Sequence, residues 1–303
     1  MIRELKIAVS ASGKEAQYDE CAKSIAGQKF IIANILAKSM DAFRGMKPKD
    51  IVPYIEGEPY ISRVPTEPGL TRFDIICYVR LPERSGEKAS DGEKKPLTQI
   101  IINVEIQKNQ PKKYKILNRS IFYVCRQISA QKERDFVGSH YDDIKNVYSI
   151  WICMNMEKNS MCHIHLTKED IIDAQQWKGN LDLLNIIMIG IGKEVPGREE
   201  GYELHRLLGA VFSKKLTLEE KLNILQEYGV PVEEEFRKDV NEMCNLGEGI
   251  LEDGIEIGWQ RGLEEGRKES QQLIRNMHKN GFTAEQIAAA IDMELEEVQA
   301  ILA

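Results

Sequence analysis

The chain has 303 residues, 42% hydrophobic and 29% charged, with six cysteines and a formal net charge of −7. That length suggests about two domains at roughly 150 residues each, and the balance excludes a disordered chain, a collagen-like chain and a disulfide-stapled miniprotein. Cys21, Cys77, Cys125, Cys153, Cys162 and Cys244 form no CxxC pair, no run approaches 18 apolar residues, and the N-terminus lacks a signal-peptide core; a cytoplasmic protein with reduced thiols and no membrane partner is expected.

In chain order, the first helical pattern covers 19–43, with Ile25, Ile32, Ile35, Leu36 and Met40 at helical spacing. Pro and Gly punctuate 46–69, which predicts loops and a short edge strand. RFDIICYVR (72–80) and TQIIINVEIQ (98–107) are strand-like in their β-branched and aromatic content, and the polar 81–96 between them predicts an antiparallel hairpin with a long tip. A helix over 114–133 follows, then a strand over 147–156, a candidate strand over 161–166, an apolar strand over 181–192, and two or three helices across 199–246. Sheet elements with crossing helices, followed by a helical tail, indicate an α/β or α+β catalytic-type domain with an all-helical C-terminal appendage.

Charge is distributed unevenly. Residues 247–270 carry seven acids against three bases and 271–303 five against two, which leaves the first 246 residues neutral overall. Within them, 106–132 holds Lys108, Lys112, Lys113, Lys115, Arg119, Arg126 and Lys132 and no acid. A locally basic face on a neutral domain suits a phosphate backbone; a solvated lysine-rich helix face fits the same pattern. In the tail, Gly254, Gly258, Gly262 and Gly266 recur every four residues. That run is either a long helix whose glycine stripe admits a partner helix or a flexible hinge, since each helical glycine costs about 1 kcal/mol. Residues 281–302 read as two short helices, the first opened by a capping box of Thr283 and Gln286. Their only charges are five acids, which DNA would repel, so a docking or oligomerisation element is expected.

The sharpest chemical constellation is Asp74 on one strand with Glu105 and Gln107 on the next. Side chains alternate along a strand, so Glu105 and Gln107 share a face, and hairpin pairing would set Asp74 beside Glu105. Two carboxylates in apolar segments are costly to bury unpaired. A hard divalent cation, Mg²⁺ or Mn²⁺, would resolve the cost if the carboxyl oxygens lie within about one nanometre on the same face, and its acidified water could attack a phosphodiester, oriented by Gln107. A chance pair of strand acids without a metal satisfies the same spacing. Cys153, Cys162, His163 and His165 fit no standard zinc spacing and read as structural strand residues. No nucleophile elbow or glycine-rich phosphate loop is present, so neither Ser/His hydrolysis nor ATP-driven chemistry is indicated.

Taken together, several segments resemble the PD-(D/E)XK nuclease superfamily, specifically its Rpn-type recombination-promoting nuclease group, whose members also carry the label transposase. They are the strands RFDIICYV and IIINVEIQ, the helix containing NRSIFYVCRQIS, the strand VYSIWICMNM introduced by HYDDIKN, and the tail segments GIEIGWQRGLEEGRKE and GFTAEQIAAAIDMELEEVQAIL. The resemblance covers about residues 20–190 and 247–303. It implies an α/β fold with a central mixed β-sheet flanked by helices (restriction-endonuclease-like), with Asp74 and Glu105 as metal-binding acids. Gln107 falls where most of the superfamily has lysine and this group often has glutamine. Glutamine can hold a water but brings no positive charge, so slow activity leaning on the metal is expected.

Arg119 and Tyr123, one helical turn apart, match the Arg and Tyr of the group's next helix. The guanidinium would contact a phosphate, or else brace the carboxylates beside a core tyrosine. A further supporting acid is expected from Glu20, Glu56 or Glu58, with the choice open. The implied function is a metal-dependent DNA endonuclease serving recombination or mobile elements, its DNA guided by Lys112, Lys113, Lys115, Arg119 and Arg126. The alternative is a nuclease-fold module that binds DNA or protein without cutting. No three-acid transposase core is evident. The expected organisation is a nuclease-like domain over 1–195, a helical extension over 196–246, the glycine-periodic helix or linker over 247–270, and a small acidic tail over 271–303, with homo-oligomerisation through the C-terminal helices.

Overall fold

The computed structural model describes residues 2–60, 74–82, 99–108, 111, 113–199 and 201–303. Most of the expected hairpin tip, the end of the loop region before Asp74, and Lys112 lie outside the described residues. Two compact units result: residues 17–247, and residues 1–16 with 248–303.

The larger unit is built on a six-stranded sheet among the described residues. Its strands are β1 (Ile55–Tyr60), β2 (Ile75–Arg80), β3 (Gln99–Gln107), β4 (Val147–Met156), β5 (Ser160–His165) and β6 (Leu184–Gly192), in the order β1-β2-β3-β4-β6-β5. The sheet is mixed. β1, β2 and β3 form an antiparallel meander, β3, β4 and β6 are parallel, and β5 returns antiparallel on β6. The parallel centre explains the near-continuous apolar runs of β3, β4 and β6, because such strands are covered on both faces.

Helix α4 (Ile116–Ser129) is the crossover between the parallel strands β3 and β4. It packs Val124 into a core with Ile76, Ile101, Val147 and Trp151. The opposite face is covered by α2 (Lys29–Ser39) and α5 (Glu203–Phe212). Residues 31–37 of α2 are buried without interruption, the pattern of a helix enclosed on all sides. Helix α6 (Leu218–Glu227) starts at a capping box of Thr217 and Glu220.

Several boundaries differ from the sequence expectation. The single helix over 19–43 is two: α1 (Ile2–Ala26) stops at Gly27, and Gln28 is extended before α2 begins. The Gly27 amide still donates to Lys23 O (2.9 Å), and a Cβ there would lie 3.2 Å from that oxygen. Helix α4 ends at Ser129, and Glu133 takes a left-handed conformation (φ 62°) that a continuing helix could not hold. Strand β2 starts at Ile75, so Asp74 stands one residue ahead of it.

In the smaller unit, residues 247–270 lie inside one continuous helix, α7 (Glu234–Lys279), which begins in the larger unit. Its last turns pack Ile274 against Ile287, Ala288 and Val298 of α8 (Ala284–Ile291) and α9 (Leu295–Leu302). Thr283 and Gln286 form the reciprocal cap of α8, and Asp292 ends it in the left-handed region. All six cysteines are free. Among the described residues no helix is long and apolar enough to cross a membrane.

Candidate functional site

Asn103, Glu105 and Gln107 alternate along β3 and therefore share the sheet face that carries α4. The β2–β3 register pairs Ile75 with Val104; extended by one residue, it sets Asp74 opposite Glu105. The two acids are cross-braced through each other's main chain. The Asp74 amide donates to Glu105 Oε1 (3.2 Å), and Asp74 Oδ2 accepts from the Ile106 amide (2.9 Å). An aspartate carboxylate lies within about 4 Å of its own amide nitrogen, so the carboxyl groups are well within a nanometre.

Glu105 is only 2% exposed. Burial, and next the negative charge of Asp74, push its carboxyl up to about 8, against the opposing bonds from Asn103 and the Asp74 amide and the more distant Arg119. Asn103 Nδ2 donates to Glu105 Oε1 (3.2 Å) and lies 3.4 Å from Ser149 Oγ, which also accepts from Trp151 Nε1 (2.9 Å). Neighbouring strands thus fix the buried carboxylate from below.

A cation reaches the pair from a direction the sequence did not suggest. Lys23 Nζ, on α1, lies 3.0 Å from Asp74 Oδ1 and 2.6 Å from Asp19 Oδ2. The i,i+4 spacing of Asp19 and Lys23 is commonplace on helices, so no sequence signal marks it. Asn103, by contrast, was legible from its parity with Glu105 and Gln107.

Arg119 and Tyr123 do lie one turn apart on α4, and both are engaged. Arg119 Nη1 donates to Gln107 Oε1 (3.2 Å) and Tyr114 Oη (3.0 Å), and Nη2 donates to Tyr123 Oη (2.7 Å). Its guanidinium also sits 4.7 Å from the Tyr123 ring centroid and 5.4 Å from that of Trp151. Arg119 is therefore locked in an aromatic frame and pins the glutamine.

The other expected residues fall elsewhere. Glu56 pairs with Arg80 (3.0 Å) and accepts from Gln99, at the end of the β2–β3 ladder remote from Glu105. Glu58 pairs with Lys29 (2.9 Å), and Glu20 is exposed on α1. The acid that the structure links to the pair is instead Asp19, through Lys23. Lys113 and Lys115 are exposed at the start of α4 and Arg126 near its end. Between them Leu117, Ile121 and Phe122 are exposed beside Asn118, so α4 is not basic along its whole length. On the edge strand β5, His163 and His165 have ring centroids 4.8 Å apart, and His163 Nε2 is bonded to Asn185 Oδ1 (2.9 Å).

Among the described residues, no group of three or more His, Cys, Asp or Glu side chains is arranged to hold a metal. The site offers two carboxyl groups, Asp74 with Oδ1 on Lys23 and Oδ2 on the Ile106 amide, while Gln107 Oε1, on the same strand face, is held by Arg119. That hard donor set, with a buried carboxyl whose charge is poorly compensated, fits a partly hydrated Mg²⁺ or Mn²⁺, which keeps several water ligands. Asp74 and Glu105 are the residues that would hold it. No family model, curated protein or solved structure matches the chain.

Proposed function

We propose that the larger unit is a metal-dependent DNA endonuclease of restriction-endonuclease-like fold, hydrolysing phosphodiester bonds in recombination or in the life of a mobile element. The observation that carries this reading is the cross-braced Asp74–Glu105 pair, with Glu105 buried and pushed up to about 8. Clustered acids held against their own repulsion mark sites built for a cation. A bound divalent ion supplies acidification of water and neutralisation of phosphate charge.

The chain's own residues do the rest. Gln107, pinned by Arg119, orients the attacking water. Lys23 provides, from α1, the positive charge that a glutamine at position 107 lacks. Helix α4 opens with Lys115 as its N-cap residue and no acid in its first turn. Its first-turn amides, which have no partner within the helix, and the lysines at 113 and 115 suit a DNA phosphate. Glu105→Ala or Asp74→Ala should abolish Mg²⁺-dependent nicking of plasmid DNA while circular dichroism shows an unchanged fold. Undiminished cleavage by purified Glu105→Ala protein rejects the reading.

One observation favours a second reading, a nuclease-fold module that binds DNA without cutting. Arg119, the residue expected to meet phosphate, is already held by Tyr114, Tyr123 and Gln107. DNA binding that survives a chelator, with no cleavage in Mg²⁺ or Mn²⁺ at any enzyme excess, selects that alternative.

A further inference from the structure

Within the smaller unit, α7 presents a face of unusual composition. Leu251, Ile255, Trp259 and Leu263 recur every four residues, and each is followed three positions later by a glycine. All four large side chains face outward, 42%, 73%, 63% and 53% exposed. A Cβ added at Gly254, Gly258, Gly262 or Gly266 would meet nothing within 4 Å. The face is thus a row of apolar knobs beside a row of empty notches, on a helix otherwise dense in charge. Contiguous exposed apolar side chains mark an interaction surface. Four interior glycines also weaken this helix by about 1 kcal/mol each relative to alanine, a deficit that packing against a partner would offset.

We infer that this face pairs with the same face of a second copy of the chain, the two α7 helices running antiparallel. The identity of the partner follows from self-complementarity. One copy carries both knobs and notches at the same repeat of four, so a two-fold axis brings the knobs of each into the notches of the other. Rows at i±4 interdigitate when helices cross at about −50°, and glycine lets the backbones approach closely.

The direction follows from charge. Residues 248–256 carry Glu248, Glu252, Asp253 and Glu256 and no base, whereas 261–275 carry four bases against three acids. A parallel pair would lay the acidic stretch on itself; an antiparallel pair lays it on the basic one. Within the unit, Asp253 is paired to Lys14 (2.9 Å), Glu256 accepts from Gln260 (3.1 Å) and Lys268 is paired to Glu264 (2.8 Å), so the contrast is one of net charge along the helix. This inference is independent of the nuclease reading.

Sedimentation equilibrium of the full chain, over a hundredfold range of concentration, tests it. The wild type should be a dimer that Ile255→Glu and Trp259→Glu each convert to monomer. Both positions are exposed in the single copy, so circular dichroism should show the fold retained. Gly258→Leu is the sharper variant. It should raise helicity, because leucine is the better helix former, yet weaken association at least about tenfold by filling the notch. Ile171→Glu, on the exposed loop between β5 and β6, should leave the dimer intact. Raising sodium chloride should weaken the dimer modestly by screening the acid–base contrast.

A wild type that is monomeric throughout overturns the proposal. So does a dimer that survives both Ile255→Glu and Trp259→Glu, or one unaffected by Gly258→Leu. A dimer that tightens with salt overturns the antiparallel arrangement.

Discussion

Around Glu105 the larger unit encloses a carboxylate among Asn103, Ser149 and Trp151; along α7 the smaller unit holds Leu251, Ile255, Trp259 and Leu263 out in solvent. These regions depart from the ordinary partition of polar and apolar groups in opposite senses. A buried carboxyl keeps its proton because ionising it costs free energy until something of opposite charge arrives, and an exposed apolar stripe forgoes the gain of burial until a surface covers it. Each is a deficit a stable fold has no need to carry. A small hard ion would meet the first and a large complementary face the second: a metal in one place and a protein surface in the other.

The contrast can be broken most forcefully at the acids. Asp74→Ala or Glu105→Ala should lower Mg²⁺-dependent nicking by at least about a thousandfold, roughly 4 kcal/mol of barrier, with no change in the dimer measured by sedimentation. Loss of both properties together would mean that the acids serve the fold.

Stability should also depend on pH through Glu105. The Glu105 carboxyl is raised to about 8 in the fold, against about 4.3 when unfolded. The fold therefore favours the neutral form. Its contribution is complete below about pH 4 and is lost as pH rises through about 8. Denaturant unfolding, followed by fluorescence of the buried Trp151, should show stability falling between about pH 5 and about pH 9 by roughly 4 kcal/mol. Glu105→Gln should flatten that slope, and Mg²⁺ should stabilise the wild type more at the alkaline end. A slope that persists in Glu105→Gln would assign it to another group.

A smaller loss is expected from Lys23→Met. Removing the ammonium beside Asp74 should reduce cleavage about tenfold to a hundredfold, and Lys23→Arg should recover part of it. Equal activity in Lys23→Met and wild type would make that ion pair purely structural. The smallest effect belongs to the tail. Thr283→Ala removes the α8 cap and should destabilise the small core around Ile274 by about 1 kcal/mol, read by hydrogen exchange at α8 and α9 and leaving nicking unchanged. Slower nicking in that variant would tie the two regions together.

Alternation made part of the site legible beforehand. Period-two spacing puts Glu105 and Gln107 on one face, and the antiparallel pairing of RFDIICYVR with TQIIINVEIQ sets Asp74 opposite Glu105. Lys23 was not legible, because a lysine one turn after an aspartate is ordinary on any helix surface and only the docking of α1 brings it to Asp74. For the same reason Glu20, Glu56 and Glu58 could not be ranked: each has carboxylate chemistry, and their separation from the pair is a matter of register and of the partners Arg80 and Lys29. The basic stretch 106–132 was legible as composition. That its middle turns Leu117, Ile121 and Phe122 outward depends on which side of α4 meets the sheet.

The amino-acid order alone determined the succession of most strands and helices, the shared face of Glu105 and Gln107, the cap at Thr283 and the four-residue rhythm of apolar residues and glycines in α7. All of these are local, set by backbone period and by side-chain chemistry a few residues apart. Tertiary structure alone decided that Glu105 would be desolvated, that Lys23 and Asp19 would join Asp74, that Arg119 would be held among aromatic rings, and that the stripe on α7 would face water. Burial and charge pairing depend on distances between segments remote in the chain, and no local periodicity encodes those distances.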